Sequence, residues 1–312
     1  MKFLNIKSTL LLVVTVLFSS ALLAQDYSFM VLGEKGDNKV DGNDLKVGAQ
    51  LKSAQSITVG SGAYLGLAHS SGKTLEIKKA GDYTVKALEA QLAKLNDNTT
   101  GQIAMFIIDE LTSDDNKSNR FSSSVVKTGS VQRATSGSSP LQVMLPAQSE
   151  FLPGKVTIKW YVDGDIDAPQ KYTFIARNLK SEEVIKKEVT GESVELDLSE
   201  LNAFDSKLLK YQIISEDLKS EEYGLKLPRS SKEVESVEAE LAKLPEGDSS
   251  INHFLRAEFF AKKGMLANAI NSYEAAGDAF SESYEEFLTA FQLTKEAKEA
   301  AKKKKADNSA GE

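Results

Sequence analysis

The 312-residue sequence has no cysteine, only two histidines, one tryptophan and six prolines. Without a thiol there can be no disulfide, no cysteine-ligated metal and no thiol nucleophile, so packed cores alone must hold the fold. His69 and His253 stand far apart, with no second imidazole nearby to complete a locally spaced metal site. Neither is accompanied by the G-x-S-x-G elbow of a serine hydrolase, although a Ser-His-Asp set can be assembled in space from distant positions. Carboxylates are plentiful but spread as solvated helix faces, as at Glu233, Glu235, Glu238 and Glu240, with no couple resembling a glycosidase pair. Positive charge is in deficit: 38 basic against 45 acidic residues give a net charge of −7, which argues against nucleic acid as a partner. Beyond the first two dozen residues no apolar run is long enough to cross a bilayer.

What is present begins with MKFLNIKSTLLLVVTVLFSSALLAQ. Lys2 and Lys7 form a positive leader, Leu10 to Phe18 a short apolar core, and Leu22-Leu23-Ala24 a small-residue exit. This pattern predicts a secretory signal peptide over residues 1–24, cleaved after Ala24, with an uncleaved anchor as the alternative. Cleavage removes two lysines and no acid, so the mature balance is 36 − 45 = −9. A periplasmic or secreted destination follows, and an exported chain lacking disulfides suits a bacterial envelope. No membrane span is expected after cleavage.

From Tyr27 to Val85 apolar residues alternate with polar ones between frequent turns, a β pattern. Val85, Leu88, Leu92 and Leu95 then mark one amphipathic helix. Ile103 to Ile108 reads as a strand or as more helix. Thr112 to Ser139 holds nine serines in 28 residues and reads as a mobile linker. The β signal returns from Leu141 to Leu227, where Val156, Ile158, Trp160 and Val162 alternate, as do Tyr172, Phe174 and Ala176, then Val194, Leu196 and Leu198, then Tyr211 and Ile213. This stretch predicts a small sandwich of the immunoglobulin or fibronectin kind anchored by Trp160. Past Pro228 the period turns helical, with helices expected at Ser250–Lys263, Leu266–Phe280 and Glu282–Lys305, the first capped by Gly264.

The stretch HSSGKT (His69 to Thr74) ends like a phosphate-binding loop, but a nucleotide is not expected. The first glycine of such a loop belongs at Leu67, and Thr74-Leu75-Glu76-Ile77 continues as a strand rather than a helix. A turn with Gly72 at positive φ is the expectation. Asp163, Asp165 and Asp167 suggest a calcium loop until Ala168 and Phe174 are found where glycine and glutamate belong. Asp37, Asp41 and Asp44 fail in the same way, with Gly48 in the glutamate place. No metal and no cofactor is expected.

Two stretches resemble known families. Val40-Asp41-Gly42 through Val47-Gly48-Ala49-Gln50-Leu51, then Ile57-Thr58-Val59-Gly60, Ala63-Tyr64-Leu65-Gly66-Leu67 and Ser71-Gly72-Lys73 to Ile77, resemble the FecR-like periplasmic β-domain over residues 38–84. The resemblance implies a fold of short strands and an envelope location. It does not imply transcriptional signalling, since Ala49 replaces the usual acidic residue and the cytoplasmic and membrane helices of the regulators are missing. Phe260, Gly264, Leu266, Ala269, Ile270, Tyr273 and Ala276 are spaced as in a tetratricopeptide repeat. His253 and Ala257 stand where that repeat has tryptophan and glycine, so an ordinary helical bundle remains the alternative.

The expected architecture is thus multi-domain α+β: signal peptide 1–24, FecR-like β-domain with trailing helix 25–100, Ser-rich linker 101–140, β-sandwich 141–229, tetratricopeptide-like helical module 230–306 and disordered tail 307–312. The expected function is an exported, non-catalytic adaptor or scaffold that binds envelope proteins. Its candidate binding residues are sheet edges and loops, together with a helical groove lined by Phe254, Phe260 and Tyr273. A carbohydrate- or cell-wall-binding module is the alternative, for which exposed Tyr64, Tyr161 and Tyr172 would speak. A hydrolase with an unrecognised site is the third reading.

Overall fold

The computed structural model describes residues 27–94, 107–108, 121, 139–164, 167–199, 208–226 and 231–300. The signal peptide, Leu95, Asp165, the tail 307–312 and most of the segment 101–140 lie outside the described residues. The chain is mixed α+β, with several mainly antiparallel sheets and a helical C-terminal part.

Strands β1 (Phe29–Lys35), β2 (Asn38–Val40), β3 (Asn43–Asp44), β4 (Gln50–Leu51), β5 (Ser56–Val59), β6 (Tyr64–His69), β7 (Thr74–Ile77) and β8 (Gly81–Thr84) form two four-stranded sheets, ordered β4-β1-β6-β7 and β3-β2-β5-β8. Helix α1 (Val85–Leu92) follows, with the Thr84 hydroxyl accepting the Ala87 N–H as its N-cap. Phe29, Val31, Ile57, Leu65, Leu67, Val85, Leu88 and Leu92 fill the core between these elements. The outer face of β1 and β6 is buried as well. Met30, Leu32, Tyr64 and Ala68 join the larger core made by the rest of the chain. Five consecutive residues of each strand are therefore buried, which explains the unbroken FMVLG and YLGLA runs where a one-sided strand would alternate.

The second β-unit contains β9 (Leu141–Val143), β10 (Gln148–Glu150), β11 (Lys155–Val162), β12 (Lys171–Arg177), β13 (Glu183–Thr190), β14 (Ser193–Asp197), β15 (Leu208–Ile214) and β16 (Tyr223–Lys226). A five-stranded sheet β10-β16-β15-β12-β13 and a three-stranded sheet β14-β11-β9 enclose Val156, Ile158, Trp160, Tyr172, Phe174, Leu196, Tyr211 and Ile213. Among the described residues only the β10–β16 pair is parallel. Trp160 is 1% exposed and packs edge-on against Tyr172, so the expected anchor is in place.

Helices α2 (Ser231–Leu241), α3 (Ser250–Lys263), α4 (Leu266–Ala276) and α5 (Ser281–Ala290), with a 3-10 turn at Asp278–Phe280, complete the order. Gly264 ends α3 in the left-handed conformation (φ 77°). Its N–H reaches the Ala261 carbonyl and that of Met265 reaches Phe260, a glycine-capped terminus as expected. Two helical expectations are corrected. Gly277 stops α4 and gives way to the 3-10 turn, and the predicted helix 282–305 is interrupted after Ala290, where Gln292 takes φ 52°.

The helical part is wedged against both β-units. Phe280 lies over Gly33 of β1, edge-on to Tyr64 (6.0 Å) and stacked on Phe254 (4.5 Å). Within the segment 101–140, the described residues Ile107, Ile108 and Phe121 are buried. Phe121 packs on Phe287 and Phe291, so the segment is tied to the core at these points, contrary to a linker loose throughout.

Candidate functional site

Phe254, Phe260 and Tyr273 do not line an open groove. They are 1%, 6% and 1% exposed; Phe280 of the 3-10 turn covers Phe254, and Tyr284 and Phe287 of α5 cover Tyr273. Phe254 stacks on Phe280, and Tyr273 stacks on Tyr284 and donates its hydroxyl to the buried Glu258 carboxylate. The aromatic stripe is core, as helical spacing of aromatics favours once a third helix is at hand.

The histidines take local roles. His69 Nδ1 accepts the Ser71 N–H (3.1 Å) and lies 2.8 Å from Ser71 Oγ, inside the β6–β7 turn. A nitrogen whose lone pair already accepts that amide would have to give up the bond before acting as base toward the adjacent hydroxyl. Burial against Phe29 pushes the imidazole pKa down, Glu89 opposes this, and Lys73 adds to the lowering. His253 Nε2 pairs with the exposed Asp248 at 2.6 Å beside the start of α3. HSSGKT is the expected hairpin turn: Gly72 has φ 83°, and its N–H reaches the His69 carbonyl.

The aspartates are engaged too. Asp163 accepts the Gly164 N–H and faces Lys295 at 3.5 Å, while Asp41 receives the Ser56 N–H and the Gln55 amide. No group of three metal-ligating side chains occurs among the described residues. Of the tyrosines that would speak for a glycan, Tyr64 and Tyr172 are buried, and Tyr161 is half-buried beneath the Lys298 ammonium.

The joints between units carry polar locks. Asn271 on α4 accepts the Thr157 N–H (3.0 Å) and donates to the Lys155 carbonyl (3.1 Å). One turn earlier Asn268 makes the same pair of bonds to the N–H and carbonyl of Leu152. Asn271 stands in for a missing strand beside β11, at main-chain groups that β9, paired with Trp160 to Val162, does not reach, and Asn268 satisfies the Leu152 main chain in the connection before β11. Glu76 of β7 accepts the Tyr64 hydroxyl (2.7 Å) and the Ile251 N–H (3.1 Å) at the start of α3, and pairs with Lys78 (2.8 Å). Burial alone would raise the Glu76 pKa. The bonds from Lys78, Tyr64 and Ile251 outweigh it and hold the carboxyl below its ordinary value.

What lies open is the end strand of the five-stranded sheet, an element the sequence pattern did not announce. None of the eight residues of β13 is fully buried. It pairs with β12 on one side, Tyr172 facing Val189, Phe174 facing Lys187 and Ala176 facing Ile185; its other edge has no strand partner among the described residues. The Gly191 N–H bonds the Gln170 carbonyl, while the Ile213 N–H points to Ser220 on the far side of β15. Both fix the alternation: Ile185, Lys187 and Val189 bond β12, and Lys186, Glu188 and Thr190 turn their N–H and C=O groups outward. Two of the three exposed large apolar residues among the described residues, Leu179 and Val184, lie on this β12–β13 hairpin. Its signal in the sequence was a weak one, the β-branched Val184, Ile185 and Val189 between two turns. Compared with known proteins, the chain matches no family model and no curated protein.

Proposed function

We propose that the chain is an exported, non-catalytic scaffold of a bacterial envelope that binds other proteins through the open edge of β13. The observation that carries this reading is the edge itself: a long strand with alternate main-chain groups facing solvent and apolar residues at its hairpin. Such an edge takes an added strand from a partner, main-chain bonds giving affinity and side chains the selectivity. The leader Lys2 to Ala24 supports export. The FecR-like assignment of the first unit draws support from its short hairpins and the positive-φ glycines Gly42, Gly48 and Gly72. The tetratricopeptide-like assignment draws support from the close α3–α4 pair with buried Ala257, Ala261 and Ala269.

The test is crosslinking in the native envelope with the full chain and with Glu188→Pro. Proline there removes an outward N–H and blocks strand addition, leaving the bonds to β12 and costing the fold under about 1 kcal/mol. A reproducible protein set that the substitution abolishes is the expected result. No reproducible set, or one indifferent to the substitution, contradicts the reading.

A further inference from the structure

We infer that a partner of the β13 edge is a second copy of this chain, the two strands pairing antiparallel across a two-fold axis to join their five-stranded sheets. This rests on the reading of β13 as a docking edge and names an occupant. A dyad must bring outward-facing main-chain groups together and keep each sheet face on its own side. Several registers meet that condition, and one is complementary in charge. In it Lys186 of each copy faces Glu188 of the other on the outer face. Ile185 faces Val189 on the inner face. Each of these pairs occurs twice.

Lys186 and Glu188 face the edge and bond across such a dyad, while Val184 sits at the bulge where the register of β13 on β12 shifts, so the regular ladder runs from Ile185 to Thr190. Shifting by one step either way sets Lys186 against itself or Glu188 against itself, which opposes pairing. The single like pair in the favoured register is Lys187 with its copy. Its ammonium is already drawn back to the Glu195 carbonyl of β14 (2.8 Å). Within the chain Lys186 and Glu188 lie beside Ile175 and Thr173 of β12, so neither charge is needed to hold the sheet.

The experiment is sedimentation velocity of the full chain over a concentration series, with Lys186→Glu, Glu188→Lys, and an equimolar mixture of the two. Each single variant places two like-charge pairs across the dyad and should weaken association roughly tenfold or more. In the hetero-pair both contacts across the interface again set a glutamate against a lysine, so the mixture should restore association. A wild-type chain that stays monomeric, a dimer that neither variant weakens, or a mixture no better than its components overturns the inference. Should the wild type stay monomeric while Glu188→Pro still abolishes crosslinking to other proteins, this inference fails and the scaffold reading survives.

Discussion

Gly33 shows how much one residue can decide. An added Cβ would lie 2.5 Å from Phe280 Cε1, and that ring is held between Phe254 and Tyr64. Gly33→Ala should therefore cost about 1–3 kcal/mol by overpacking. Combined with Phe280→Ala it should cost less than the two singles summed, which denaturant titration of the four chains would reveal. Glu76 acts through charge. Its folded pKa lies below its ordinary value of 4.5, so its contribution to stability is present above that pH and fades as pH falls through the folded value. Glu76→Gln should cost about 2 kcal/mol at neutral pH and flatten the acid limb of the stability curve. An unchanged acid limb would refute the assigned role. Neither residue was legible in the sequence. A glycine and a glutamate in a strand gain meaning only from α3 and the 3-10 turn, which lie some two hundred positions away.

Elements were legible in proportion to how one-sided they are. Strands β11, β14 and β15 bury alternate residues and α1 buries a stripe, so period located them, whereas α3 is buried over most of its surface and was marked by its Gly264 cap. Strand β13 buries no residue fully and offered no period. The helical aromatics gave a clear period, but the period could not say whether the chain itself would cover them, and Phe280 does. Helix α4 is locked to the sandwich by amides rather than by apolar fit alone. Asn271→Leu strands the part-buried Thr157 N–H, while the exposed Lys155 carbonyl can turn to water, and should lower stability by about 1–2 kcal/mol, measurable by thermal or urea unfolding. Asn271→Asp keeps the acceptor for Thr157 and loses the donor to Lys155, so a smaller loss is expected at acid pH, where its carboxyl is protonated and can donate.

At the scale of the whole molecule, the expected string of separate units becomes a body in which helices bridge two β-units. Phe280 on Gly33, Glu76 on α3, Asn252 on Thr74 and the two α4 asparagines each cross between units that the sequence presents apart. Removing residues 231–300 would expose Met30, Leu32 and Tyr64 and leave the Leu152 and Thr157 main chain without partners. The truncated chain is therefore expected to aggregate or lose cooperative unfolding, and calorimetry showing an unchanged sandwich transition would contradict the bridging role. This fused body leaves β13 at the margin of its five-stranded sheet, the place that the proposed strand addition would use.

The most direct measurement is residue-resolved hydrogen exchange along β13. Amides of Lys187 and Val189, bonded to β12, should exchange slowly throughout. Those of Lys186, Glu188 and Thr190 should exchange fast in dilute solution and become protected as chain concentration rises or envelope partners are added. Alternate amides that remain fast under every condition would show that nothing docks on this edge, and the account of the protein as an edge-strand scaffold would be wrong.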